Sequence, residues 1–155
     1  MKKVIVGLLM AVLPLTASAE TFGIGAMVGS PTGITGKLWL DQERAVDIAA
    51  EWRTSGDNEF YLHANYLIHA PLKMKENKLK GTTQYYYGAG GYYQERHHKK
   101  WADEDVFALR LPVGISHQPK VAPIELFAEI VPVLEVSPDS DFDLDIGVGV
   151  RYLFR

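Results

Sequence analysis

Phe142 to Phe154 reads FDLDIGVGVRYLF, and no other stretch limits the fold of this chain so tightly. In an extended strand, alternate side chains point to opposite faces. Phe142, Leu144, Ile146, Val148, Val150, Tyr152 and Phe154 then share one face. Asp143, Asp145, Gly147, Gly149, Arg151 and Leu153 share the other. The first face is apolar over its whole length and has aromatics at both ends. A soluble sheet would bury such a face. A membrane-spanning strand would turn it to lipid and send the charged face into a polar lumen.

Seven earlier stretches repeat the alternation: Phe22–Gly29, Ile34–Asp41, Arg44–Arg53, Glu59–His69, Gln84–Gln94, Asp105–Ser116 and Pro123–Glu135. No segment holds a helical period. The connections are turn-like, as at Ser30-Pro31-Thr32-Gly33, except for the lysine-rich run Ala70 to Thr83 and the polar run Glu95 to Glu104. The pattern predicts an all-β fold: an eight-stranded antiparallel up-and-down transmembrane β-barrel. Two prolines, Pro112 and Pro132, fall inside predicted strands. A closed barrel has no edge at which to hide a missing N–H, so a bulge is expected at each. By strand parity the long connection Ala70 to Thr83 lies at the same end as the chain termini.

The N-terminus adds a location. Lys2 and Lys3 precede an apolar run from Val4 to Leu15, and Ala17-Ser18-Ala19 follows as a cleavage site. These are the parts of a secretory signal peptide, here residues 1–19. Residues 20–155 then form one barrel domain, exported to the cell outer membrane. No cysteine follows the apolar run, so a lipoprotein anchor is excluded. The formal charge of −3 becomes −5 once Lys2 and Lys3 are removed, which argues against a nucleic-acid partner.

The polar faces of the predicted strands carry Lys37, Asp47, Glu51, Arg53, Arg110, Glu125, Glu129, Asp143, Asp145 and Arg151. Inside a barrel these charges must neutralise one another, so a lumen ion-pair network is expected. Trp39, Tyr61, Phe127 and Arg151 are bulky enough to plug an eight-stranded interior. The apolar faces carry Phe22, Trp52, Phe60, Tyr85, Tyr93, Phe107, Phe142, Tyr152 and Phe154 near strand ends. That places aromatics in two belts at the lipid interface. A soluble carrier barrel would reverse the faces and put the charges outside.

Several stretches resemble the small eight-stranded outer-membrane barrels, and more narrowly an uncharacterised bacterial family of that shape. They are GSPTGITGKLWLD (Gly29 to Asp41), YYGAGG (Tyr86 to Gly91), LRLPVGISH (Leu109 to His117), ELFAEIVPVLEVSP (Glu125 to Pro138) and GVGVRYLF (Gly147 to Phe154). The resemblance implies fold and location but no activity. It also implies insertion by the barrel insertion machinery, which commonly reads a terminal aromatic. Here Arg155 follows Phe154.

Few residues suggest chemistry. His97 and His98, near Asp103, Glu104 and Asp105, sit in a charged loop and read as solvated rather than metal-binding. His63 and His69 share a face but lie roughly 20 Å apart along a strand, too far to share a metal. Ser116 and His117 are neighbours, yet by parity they lie at the periplasmic end with no third partner in view. Lys73, Lys75, Lys78 and Lys80 form a basic tract, read as a solubilising connection, with contact to lipid phosphates as the sharper alternative. The expectation is therefore a monomeric barrel with no catalysis, metal or cofactor, surrounded by outer-membrane lipid and serving a structural or surface-interaction role. The alternatives are a lipid A-modifying outer-membrane enzyme and a soluble periplasmic barrel binding a small apolar ligand.

Overall fold

The computed structural model describes residues 21–53, 59–73, 80–96 and 104–155. The signal-peptide reading, His97, His98, Asp103, Lys75 and Lys78 lie outside the described residues, as do the side chains of Trp52 and Arg53. Nine strands appear among the described residues: β1 (Thr21–Gly29), β2 (Gly33–Trp39), β3 (Arg44–Arg53), β4 (Glu59–Pro71), β5 (Gly81–Arg96), β6 (Glu104–Arg110), β7 (Val113–Pro119), β8 (Ile124–Ser137) and β9 (Asp141–Phe154). All pairings are antiparallel. β1 to β5 pair in chain order, β6 and β7 do not pair with each other but both lie between β5 and β8, β8 pairs with β9, and β9 returns to β1. The sheet is thus a closed ring, and Phe22 faces Phe154 across the closing seam.

The count of nine rather than eight comes from Pro112. β6 and β7 are the two halves of the strand expected from Asp105 to Ser116. Their register is continuous: Gly90 faces Arg110 and Tyr87 faces Val113 on one side. On the other side Arg110 faces Val133 and Val113 faces Ile130. The expected bulges at Pro112 and Pro132 are therefore absent. Each proline keeps its carbonyl in the ladder instead. Gly88 N–H donates to the Pro112 carbonyl (3.0 Å), and Leu111 N–H donates to the Pro132 carbonyl (3.0 Å). An antiparallel hydrogen-bonded pair normally exchanges two bonds, and proline supplies only the accepting half. The ladder thus thins on both sides of Leu111-Pro112 without slipping. The register shift in this region sits between Phe107 and Ala108, which face Ser137 and Glu135 and leave Val136 as the extra residue.

The long connection is shorter than expected. β4 runs on to Pro71 and β5 begins at Gly81, and Leu72 N–H donates to the Thr83 carbonyl (3.0 Å). Pairing continues through residues that the sequence pattern leaves in the loop.

The two faces separate cleanly. Ile24, Val28, Ile34, Ile48, Leu109, Val113, Ile130, Leu144, Ile146, Val148 and Val150 lie on the outer wall, each at least 41% exposed. Arg110, Arg151, Lys37, Glu125, His63 and His69 lie inside, each at most 2% exposed. The arrangement inverts that of a soluble domain, in which charged side chains are almost never fully buried. Small residues make room inside. A Cβ added to Gly149 would lie 2.5 Å from the Phe127 ring, and one added to Gly114 would lie 2.4 Å from the Tyr86 ring. Each aromatic lies over the glycine it faces on the neighbouring strand.

Candidate functional site: the barrel interior and its two mouths

One cluster of charges occupies the half of the interior nearer the chain termini. Lys37 on β2 donates to Glu125 Oε1 on β8 (2.6 Å), and Arg151 on β9 donates to Glu125 Oε2 (3.2 Å). Arg151 also reaches Asp47 on β3 (3.3 Å), and its Nη2 donates to Thr35 Oγ1 (2.8 Å). Asn65 on β4 donates its amide to Asp47 (2.8 Å). These bonds join five strands that are far apart in sequence. The cations also rest on rings: Lys37 Nζ lies 4.3 Å from the centre of Trp39, and the Arg151 guanidinium 3.9 Å from that of Phe127. Such contacts offset part of the cost of removing a cation from water.

A second cluster lies toward the opposite mouth. Arg110 on β6 donates to the Tyr61 hydroxyl (2.5 Å) and Asp145 (3.3 Å), and its guanidinium lies 3.7 Å from Glu129. Tyr86 donates its hydroxyl to Glu129 (2.8 Å). Met27, Leu67, Tyr86 and Phe127 pack among these groups, so side chains occupy the interior between the mouths.

Of the ten charges assigned to a lumen network from sequence, the structure joins Lys37, Asp47, Glu125 and Arg151 in one group and Arg110, Glu129 and Asp145 in the other. Glu51 is buried and accepts a bond from the Thr32 backbone N–H (3.2 Å). Asp143 departs from the expectation. It is exposed at the mouth and accepts its bond from the N–H of Leu144, because β9 rises past the ring there. Thr35 and Asn65 are the polar partners that sequence reasoning did not assign to the network. Their inward parity was visible, but nothing marked them as bonded to Arg151 and Asp47.

The two mouths differ. The one beside the β1–β2 and β8–β9 turns holds a cavity of about 140 Å³, lined by Glu51, Glu59, Glu135, Asp143, Asp145 and Arg96 among others. Tyr61 and Tyr92 form its aromatic wall, with ring centres 4.9 Å apart. The mouth at the chain termini holds a wider cleft of about 410 Å³, with Trp39 and His69 in its wall and Asp41, Gln42 and Glu43 at its lip. Asp41 accepts the backbone N–H groups of Glu43 (2.9 Å) and Arg44 (2.7 Å), which hold its carboxyl below the usual carboxylate range.

In fold, the chain is similar to the N-terminal β-barrel domain of Pseudomonas aeruginosa OprF. The likeness covers 86% of this chain and 95% of that domain, at a TM-score of 0.57 and 8% identity. No family model and no curated protein matches the chain, so the narrower resemblance to one bacterial family has no counterpart there. The OprF likeness speaks for the barrel architecture alone.

The remaining sequence candidates separate. His63 and His69 are both buried in the interior. His69 Nε2 lies 2.9 Å from Lys37 Nζ, whereas His63 Nδ1 lies 3.3 Å from the Tyr61 hydroxyl. Ser116 is buried, while His117 has the opposite parity and pairs with the Thr83 hydroxyl (2.8 Å). Among the described residues no group of three or more His, Cys, Asp or Glu is placed to hold a metal. Lys73 and Lys80 are exposed. The aromatics form clusters at both ends of the outer wall. Phe22 stacks on Phe154 (5.3 Å) beside Tyr152, and Tyr93 lies against Phe107 (5.3 Å). Tyr85 and Phe142 are exposed, and Phe60 is half-buried.

Proposed function

We propose that this chain is an integral outer-membrane β-barrel with a plugged, ion-paired lumen, acting structurally or through its surface and not as an enzyme. The observation that carries this reading is the outer wall. Around the ring, outward side chains are apolar and exposed, while the charges lie inside. Water would not tolerate so large an apolar wall on a monomer, and hydrocarbon would. The aromatic clusters at the strand ends fit the interfaces of such a layer. The A-x-A site at Ala17-Ser18-Ala19 supports export, and strand parity then turns the mouth with the termini toward the periplasm.

The same facts weigh against the two alternatives. A soluble carrier of an apolar ligand needs an apolar interior, and this interior holds Lys37, Arg110 and Arg151. An acyl-transfer enzyme needs a nucleophile with its base, and Ser116 and His117 point to opposite faces. The protein should sediment with outer membranes and resist carbonate extraction. Recovery in the soluble periplasmic fraction would overturn the membrane reading. Planar-bilayer recordings should show no large steady conductance, since eight strands enclose little more than their own side chains. Reproducible porin-sized steps would overturn the plugged lumen.

A further inference from the structure

We propose that the outer wall across β7, β8 and β9 seats one anionic phospholipid, with an acyl chain in a furrow over Ala128 and the phosphate at Lys80 and Lys120. This rests on the membrane reading and gives that wall a particular lipid partner.

The furrow follows from one small side chain. Ala128 points outward between Ile115, its partner on β7, and Val148, its partner on β9. Leu126 and Ile130, also outward on β8, stand on either side of it along the strand and are exposed. Two adjoining hollows result, and both touch Ile115 and Ala128. One, of about 330 Å³, reaches down to Thr83 and His117. The other, of about 300 Å³, reaches up to Ile130 and Ile146. An unfilled hollow in a wall forfeits dispersion contacts, and a flexible hydrocarbon chain restores them.

The foot of the furrow is polar. Thr83 and His117 face each other there on the outward side, with the Thr83 hydroxyl 2.8 Å from His117 Nδ1. With that hydroxyl donating to Nδ1, the ring carries its proton on Nε2 and can donate it to an ester or phosphate oxygen. Depth fits as well. Phe22 pairs across to Leu38, Val46 and then Tyr66 in the middle of β4, so rows of pairs climb from β1 toward β4 as the strands tilt. In the reverse sense, the row of Val150, Leu126 and His117 descends from β9 to β7. At a tilt of about 40° that drop is roughly 6 Å, against roughly 5 Å from Val150 down to Tyr152. His117 is therefore level with the Tyr152 and Phe154 aromatics, where headgroups begin.

The charge lies just beyond. Past the Gly81–Pro119 pair, the Lys120 N–H donates to the Lys80 carbonyl (3.2 Å), which sets two exposed lysines side by side. Arg155 shares a depression with Lys120 at the same rim. Cations beneath an apolar furrow match a phosphate beneath an acyl chain. A second copy of the barrel fits less well, since a two-fold contact here would bring the same lysines together.

The test uses the full mature chain folded into vesicles of phosphatidylcholine and phosphatidylglycerol in equal parts, with matched acyl chains. A heat-modifiable gel shift reports insertion. Native mass spectrometry after release into detergent counts the lipids retained on each folded barrel. One phosphatidylglycerol should remain, favoured over phosphatidylcholine by about fivefold. Ala128→Leu fills the furrow from the lipid side and should abolish retention of either lipid without affecting insertion. Lys80→Gln with Lys120→Gln should bring the preference close to parity. An inserted barrel that retains no lipid, retains both equally, or keeps its lipid in both variants would overturn this site and leave the membrane reading standing. So would a dimer in place of the lipid adduct. Failure to insert at all would overturn the membrane reading, and this site with it.

Discussion

Glu125 is the most exposing place to test the charged interior. Its side chain has no solvent exposure and accepts from two cations, Lys37 at 2.6 Å and Arg151 at 3.2 Å. In Glu125→Leu the two cations do not suffer equally. Arg151 keeps Asp47 at 3.3 Å and the Thr35 hydroxyl. Lys37 keeps His69 Nε2 at 2.9 Å and, among the described residues, no other carboxylate within salt-bridge distance. Breaking one partner out of a buried pair costs about 3–5 kcal/mol, because the other charge is left unpaired. Most of that should fall on Lys37. Lys37→Met combined with Glu125→Leu removes both charges and fills the space with apolar atoms. It should cost no more than about 1–2 kcal/mol, since a buried pair replaced by hydrophobic residues is often neutral. The cycle should then show a coupling of about 2–3 kcal/mol. Urea unfolding in lipid vesicles, followed by tryptophan fluorescence, measures all four proteins. A Glu125→Leu variant as stable as the parent would refute the reasoning. So would a double variant as unstable as the two single changes added together.

Three further outcomes follow from the two faces and the ladder. Val148 is 51% exposed on the outer wall, so Val148→Arg should cost roughly 2–4 kcal/mol in bilayers while Val148→Leu is mild; folding yields in vesicles check both, and a tolerated arginine would contradict the lipid-facing wall. Gly149→Leu should cost roughly 1–3 kcal/mol by overpacking, because even a Cβ there meets Phe127 at 2.5 Å; unchanged unfolding would mean that the interior has slack. Pro132→Val supplies an N–H opposite the Leu111 carbonyl and should stabilise by about 0.5–1.5 kcal/mol, with new hydrogen-exchange protection at position 132; a destabilised variant would show that the proline's fixed geometry matters more than the missing bond.

How far the sequence could be read depended on side-chain contrast. β9 was legible because its outward positions are apolar throughout and its charges fall on the other parity, and from Asp145 onward the exposures follow that alternation, while residues 141–144 are all exposed. β5 was harder, since tyrosine suits either face. Only the register separates buried Tyr86 and Tyr92 from exposed Tyr85 and Tyr87. The extra residue at Val136 left no mark, because a bulge requires no particular side chain there. The prolines were visible, but their effect was misjudged: the expected bulges did not form, because a strand can lose a donor and keep its register. Charge partners such as Lys37 and Glu125 come from β2 and β8, on opposite parts of the ring. Parity said that both point inward; it held nothing about which acid meets which base.

The seam between β1 and β9 has a kinetic consequence. Thr21–Gly29 pairs with the final strand, so its outer edge stays open until the rest of the ring has been laid down. Until then any intermediate has two unpaired edges, each a template for another chain. Closing so long a loop is slow in entropic terms. Assembly of this molecule should therefore be limited by a late event that joins its two ends, and a helper that shields those edges would raise yield without altering the finished barrel's stability.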